Sequence, residues 1–359
     1  MESAGEPLVS VVMVTCNAER FLSEAIESIL GQTFRGFEFI VADFGSTDRS
    51  KQIISSYASR DSRIMLREIP KCGLAAARNA ACLLAKAHYL AIQDADDLSL
   101  PNRLETQIDF MKEHPEVGIV GSAIQRIDEH GNNLPTVNNY PTEDQQIRQT
   151  LGKWNTFWQP TVLMRTEAFV GVGGYREILP PSEDYDLWLR ISEHYKCANL
   201  PQILVKYRIH SQQVSMRKRK TQILCALAGQ ASASLRQQGK PDPLIHATEV
   251  TPALLASMGI SEFQQRNALA GGYLSMMNEM YRGGAHDAVS EAAAEMFKLC
   301  ESQRVDQQLL SDAHILSAKA QWKQRKIFRS ILSAGQAVLA RPRITRHPFR
   351  LFRRLLLES

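Results

Sequence analysis

At 359 residues, 44% hydrophobic and 22% charged, the chain has the composition of an ordinary folded protein and the length for one large core plus an appended domain. A net charge of +4 is too small to indicate nucleic acid. Six cysteines without CxxC spacing point away from a disulfide framework or zinc site and toward reduced thiols in the cytosol. No basic-then-apolar leader is read at the N-terminus, and no apolar stretch reaches membrane-spanning length.

In chain order, residues 9–92 alternate short β-branched runs with segments of helical period, the pattern of βαβ units on a parallel sheet. Val9 to Thr15 reads as the first strand. Phe21, Leu22, Ala25, Ile26, Ile29 and Leu30 then share a helical face. Phe37 to Ala42 is the second strand, ended by Asp43, with a helix marked by Ile53, Ile54 and Tyr57. Ile64 to Ile69 is the third, followed by an alanine-rich helix from Leu74 to Ala87. A fourth strand, His88 to Ile92, delivers Asp94. The pattern then becomes mixed: a helix with Leu104, Ile108 and Met111, a strand at 117–120, and a hairpin turn at Glu129-His130-Gly131-Asn132. Strands near Thr161–Arg165 and Ile203–Arg208 flank a helix from Tyr185 to His194. Residues 221 to about 340 are rich in Ala, Leu, Gln and Ser and read as helical.

Asp94-Ala95-Asp96-Asp97 sets three carboxylates at the end of a buried strand, where open α/β sheets bind ligands. Like charges this close become favourable when a cation or a network of donors sits among them. The same run also reads as an acidic turn before a helix starting at Ser99-Leu100-Pro101. Asp48 reads as an acid at a helix start, and Asp97 as a residue orienting water on a bound metal or, in preference, as a cap for the helix that follows it. Arg78, among Leu74, Ala75, Ala76 and Ala77, is costly to bury without an anion, or else snorkels to the surface. Trp154, Phe157 and Trp158 are read as core or as a stacking wall for a sugar ring.

Taken in order, Val9-Ser10-Val11-Val12-Met13-Val14-Thr15-Cys16-Asn17-Ala18-Glu19, Asp43-Phe44-Gly45-Ser46-Thr47-Asp48, Gly73-Leu74-Ala75-Ala76-Ala77-Arg78-Asn79, Asp94-Ala95-Asp96-Asp97, Val172-Gly173-Gly174-Tyr175, Ser182-Glu183-Asp184-Tyr185-Asp186 and Tyr207-Arg208-Ile209-His210 resemble the family 2 glycosyltransferases over residues 8–215. The resemblance implies an inverting, nucleotide-sugar-dependent enzyme with an α/β, Rossmann-like GT-A domain and a mixed central sheet over residues 1–215; the composition beyond it gives a mostly α-helical region at 216–340. It places Thr15, Asn17, Glu19, Asp43, Arg78 and Asp94 on the nucleotide sugar, with Asp43 reading the base. It places Asp96, with Asp94 and His210, on a Mn2+ or Mg2+ ion bridging the diphosphate. Asp184 matches the catalytic base, with Glu183 as backup. Val14, Cys16 and Phe44 depart from the family's usual residues around the base pocket, where uridine is the usual donor base.

The implied acceptor is a hydroxyl of a bacterial surface glycan or glycolipid, and the implied location is the cytoplasm or the inner face of the cell membrane. Residues 341–359 interleave arginines with large apolar residues and read as an interfacial helix on an anionic membrane, or as a face docking on protein, a homo-oligomer included. No nucleic-acid module accompanies these basic residues. The alternative functions are a nucleotidyltransferase, against which the lack of a Gly-rich phosphate loop and lysine after Val14 counts, and a non-catalytic glycan- or nucleotide-binding scaffold.

Overall fold

A computed structural model describes residues 6–210, 218–300 and 305–340. The arginine-rich tail at 341–359, and Ser211 to Arg217 after the last strand, lie outside the described residues. The chain divides into two compact units, Met1–Arg217 with Ala228–Glu249, and Lys218–Leu227 with Val250–Ser359.

In the first unit, β1 (Val9–Thr15) is buried along its whole length, as expected of a strand covered on both faces. The unit continues with α1 (Leu22–Leu30), β2 (Phe37–Asp43), α2 (Ser50–Ala58), β3 (Ile64–Glu68), α3 (Leu74–Cys82) and β4 (Tyr89–Asp94). Next come β5 (Leu98–Ser99), α4 (Arg103–Glu113), β6 (Val117–Ile127), α5 (Asp144–Leu151), β7 (Leu163–Arg165), α6 (Thr166–Gly171), α7 (Glu183–Ser192) and β8 (Lys196–Arg208). The sheet runs β3-β2-β1-β4-β7-β6-β8-β5. β1 to β4 are mutually parallel neighbours, whereas β7 is antiparallel to both β4 and β6, which makes the sheet mixed as the resemblance implies. Leu22, Ile26 and Ile29 of α1 pack with Val11, Phe39 and Val41 in one core.

Two local expectations are corrected. The alanine-rich helix stops at Cys82 rather than Ala87, because Glu38 Oε1 takes the Lys86 amide and Ser10 Oγ takes the Ala87 amide, drawing the chain into β4. No helix starts at Ser99. Leu98 and Ser99 pair with Lys206 and Val205 of β8, and the helix begins at Arg103 with Asn102 at its cap position. Asp97 therefore caps nothing: it is buried, and its Oδ1 accepts the Arg208 amide at 2.7 Å. The hairpin turn is present, with Gly131 at φ 85° and Asp128 accepting the His130 and Asn132 amides.

α8 (Arg219–Gln237) begins in the second unit and ends in the first. The second unit also holds α9 (Pro252–Ser257), α10 (Glu262–Arg282), α11 (His286–Cys300), α12 (Gln307–Lys323) and α13 (Ile327–Ala340), with no strand among its described residues. Its core contains Tyr273, Met277, Val289, Met296 and Leu316. Ser261 and Gln264 form a reciprocal capping box at the start of α10.

Candidate active site

The carboxyl ends of the parallel strands bring the first group together. Thr15 stands in register with Asp43, and Val14 with Asp94, so β1, β2 and β4 end at one edge. Asp43 is fully buried. Its Oδ1 accepts the amides of Gly45 and Ser46 at 3.1 and 3.0 Å, closing the turn after β2, while Oδ2 has no hydrogen-bond partner. Thr15 Oγ1, also buried, has none either. Buried polar atoms are nearly always paired in native proteins, so an unpaired acceptor beside an unpaired hydroxyl at a strand end is a site shaped for a polar ligand.

Asn17 and Glu19 are placed differently. Asn17, at φ 55°, accepts the Thr47 amide at 2.8 Å on Oδ1, and Glu19 accepts the Arg49 amide on Oε2. Both side chains tie the loop after β1 to the loop after β2, with Asp48 joining in through the Glu19 and Ser50 amides. The acid at the start of α2 is thus a loop clasp as well as a helix-start residue.

Arg78 on α3 has two anionic partners within the protein: Nη2 donates to Asp94 at 3.2 Å and Nη1 to Glu183. Burial works against its charge, but Glu183 and Asp94 outweigh burial and hold the guanidinium above its ordinary pKa. Asp94 is raised by burial and held partly down by Arg78. Arg78 therefore links the end of β4 to the start of α7, whose first turn carries Glu183, Asp184 and Asp186.

These three acids meet separate surroundings. Glu183 is buried against Arg78, with Oε2 unpartnered. Asp186, fully buried, binds Arg190 one turn on and Arg176. Asp184 is half-buried and accepts the Asn155 amide group at 3.3 Å. Burial, and then the charge of Glu183, push its carboxyl up to about 7. A carboxylate with that proton affinity is matched to proton abstraction near neutral pH.

Asp96 faces His210, with Oδ2 2.9 Å from Nε2. Among the described residues no three His, Cys, Asp or Glu side chains converge to hold an ion, and Asp94 pairs with Arg78 rather than joining Asp96 and His210. The pair alone still fits a small divalent cation. Cis ligands about 2.1 Å from such an ion stand about 3 Å apart, and Mg2+-like ions are commonly held by one or two protein groups plus phosphate and water.

Several positioning residues have no role assigned from the sequence, although Asn79, Gly174 and Arg208 stand within the motifs that carry the resemblance. Arg208, buried at the end of β8, donates to the Asp96 carbonyl at 2.8 Å and to Glu24 at 2.8 Å, stacks over Phe21, and offers Asp97 its amide; it holds the acidic loop in place. Gln93 donates to the Asp94 and Asp97 carbonyls from within. Asn79 clasps the Tyr175 backbone with both ends of its amide at 2.8 Å. Gly174, at φ 68°, is required there, since a Cβ would lie 2.7 Å from Asn79 Oδ1. Of the aromatic residues, Phe157 is buried against Trp188, Trp158 contacts Tyr207 and has the Arg126 guanidinium over its ring, and Trp154 is 44% exposed.

Residues 10–172 match the family model described as glycosyl transferase family 2. An uncharacterized glycosyltransferase, MJ1057, of Methanocaldococcus jannaschii is 36% identical over 57% of this chain and 71% of its own length. The O-antigen biosynthesis glycosyltransferase WbnJ of Escherichia coli is 32% identical over 57% of this chain and 80% of its own. Among solved structures, S. aureus TarS 1-349 in complex with UDP-GlcNAc superposes with a TM-score of 0.55 at 16% identity, covering 91% of this chain and 90% of that one. The mannosyltransferase PcManGT of Pyrobaculum calidifontis, in complex with GDP-Man and Mn2+, gives 0.54 at 20% identity, covering 93% and 86%. At these identities the two structures share the fold.

Proposed function

The chain belongs to glycosyl transferase family 2 and has its GT-A-type fold, and from that premise we propose that it transfers a sugar, with inversion, from a nucleotide sugar to a hydroxyl of a bacterial surface polysaccharide or glycolipid. Residues 1–215 are the catalytic domain in this reading, followed by a helical domain at 216–340 and the basic tail. The observation that carries it is the shared edge of Thr15, Asp43 and Asp94, joined through Arg78 to the acids of α7.

The base of the donor lies against Asp43, whose unpartnered Oδ2 accepts a ring N–H; the uracil imide meets this requirement, and UDP-sugars are the first donors to try. Asp94, steadied by Arg78, faces the ribose. Asp96 and His210 would hold Mn2+ or Mg2+, which would supply positive charge to offset the charge growing on the departing nucleotide. Asp184 takes the acceptor proton as the hydroxyl oxygen bonds to the anomeric carbon and the bond to the diphosphate oxygen breaks on the opposite face. One base and a single direct displacement invert the configuration.

Glu183 is less suited to the base role, because Arg78 already occupies its carboxylate. The same chemistry favours work at the cytoplasmic face of the membrane, where nucleotide sugars and lipid-linked acceptors meet. Asp184→Asn should lower kcat by about 10²–10⁴-fold while leaving donor binding within about twofold. Full turnover by a folded Asp184→Asn protein, or product of retained configuration by NMR, overturns the assignment.

A further inference from the structure

Helix α13 is built with its faces reversed. Ser330, Ser333 and Ala337 are buried, and the hydroxyls are satisfied inside: Ser330 Oγ donates to the Ala318 carbonyl at 2.8 Å and Ser333 Oγ to Gln321 at 3.0 Å. These small side chains let α13 lie closely against α12. Its large apolar residues point the other way, with Ile327 54%, Phe328 76%, Leu332 54% and Leu339 79% exposed. A helix of a water-soluble fold ordinarily does the opposite. An apolar patch of this kind marks a contact with another phase or partner.

The charge around it is equally one-sided. α13 contains no acidic residue; Arg329 is exposed within it, and Lys323, Arg325 and Lys326 precede it. Lys326 meets Asp287 at 3.2 Å, and Asp287 itself is largely exposed. From Lys323 to Ala340 there are four Lys or Arg and no acid. We propose that the exposed face of α13 docks on an anionic lipid bilayer, with Phe328, Leu332 and Leu339 among the acyl chains and the surrounding cations at the headgroup phosphates. Large apolar side chains flanked by Lys and Arg are what interfacial helices use, and each cation near an anionic surface adds to the attraction. A second copy of the chain fits less well, since a two-fold contact on this face would set Arg329 and its basic neighbours against their own equivalents.

The test uses the full chain in sedimentation with phosphatidylglycerol/phosphatidylcholine vesicles and with phosphatidylcholine alone. The wild type should pellet with the anionic vesicles, be released by high salt, and not pellet with the neutral ones. Phe328→Ser combined with Leu332→Ser should reduce vesicle partitioning at least about tenfold, with the melting temperature and the rate of nucleotide-sugar hydrolysis in solution unchanged. Because hydrolysis is read separately, failure here leaves the catalytic reading standing, and the reverse. Undiminished vesicle binding by the double variant, equal binding to neutral vesicles, or a wild-type dimer that the double variant converts to monomer would each overturn the proposal.

Discussion

Replacing Glu183 by Gln isolates the electrostatics of the proposed base. In the folded protein Asp184 is pushed up to about 7, first by burial and then by Glu183, while Arg78 opposes both. Two carboxylates about 6 Å apart at an effective dielectric near 20 repel by about 3 kcal/mol, roughly a hundredfold in proton affinity. Water reaching the half-buried Asp184 reduces this to about tenfold. Glu183→Gln removes that repulsion and releases Arg78 from its partner, and the two changes act in the same direction. The acid limb of the kcat/KM profile, measured from pH 5 to 9, should therefore move down by about one pH unit whatever happens to its height. Besides burial, the neighbours that set the limb are Glu183 and Asp94 on one side, and Arg78 and the Tyr185 amide that donates to Asp184 at 2.7 Å on the other, with the Asn155 amide group also donating to the carboxylate. An acid limb that stays put or rises would refute the coupling, and a loss of the limb with activity falling by about 10²-fold or more would transfer the base role to Glu183.

The same carboxyl makes a stability prediction of opposite sense to the activity one. The folded value near 7 lies above the ordinary 3.8, so the native state binds the proton more tightly and stability falls as pH rises from about 4 through about 7. Asp184→Asn should thus be the more stable protein at pH 8, by about 1–2 kcal/mol after allowing for solvent, with the advantage vanishing near pH 4 in urea titrations; a constant difference across pH would contradict it. Asp43→Asn keeps the Oδ1 acceptor that closes the Gly45–Ser46 turn but turns the free oxygen into a donor, so calorimetry should show UDP binding about tenfold weaker with an unchanged melting temperature. Asp96→Asn and His210→Ala should each raise the Mn2+ concentration needed for half-maximal activity by about 10-fold or more, and chelation should silence the wild type; activity indifferent to chelator would remove the ion from the mechanism.

How much of this was readable in advance follows from which interactions are local. The apolar runs of β1, β2 and β4 are short, β-branched and ended by polar residues, so strand identity and the placement of Thr15, Asp43 and Asp94 at strand ends are written in consecutive residues. Alternation with helices then requires parallel strands, which sets those ends at one edge. The early end of α3 was not readable. It depends on Ser10 and Glu38, more than 40 residues away, capturing the amides of Ala87 and Lys86. Asp97 likewise looked like a cap because its neighbours suit one, yet the amide it accepts belongs to Arg208 at the far end of the domain.

The division of labour among the acids is the clearest case. By sequence alone, Glu183, Asp184 and Asp186 are three similar carboxyls opening one helix, and Asp94, Asp96 and Asp97 three more ending one strand. Which is neutralised, which faces a histidine and which is left with a raised proton affinity is decided largely by Arg78, Arg176, Arg208 and His210, brought in from other parts of the chain. Residue type and local period determine where a strand or helix lies, because backbone geometry repeats over a few residues. The charge state of a buried carboxyl is set by the dielectric and the ions around it in space, and only the tertiary structure supplies those.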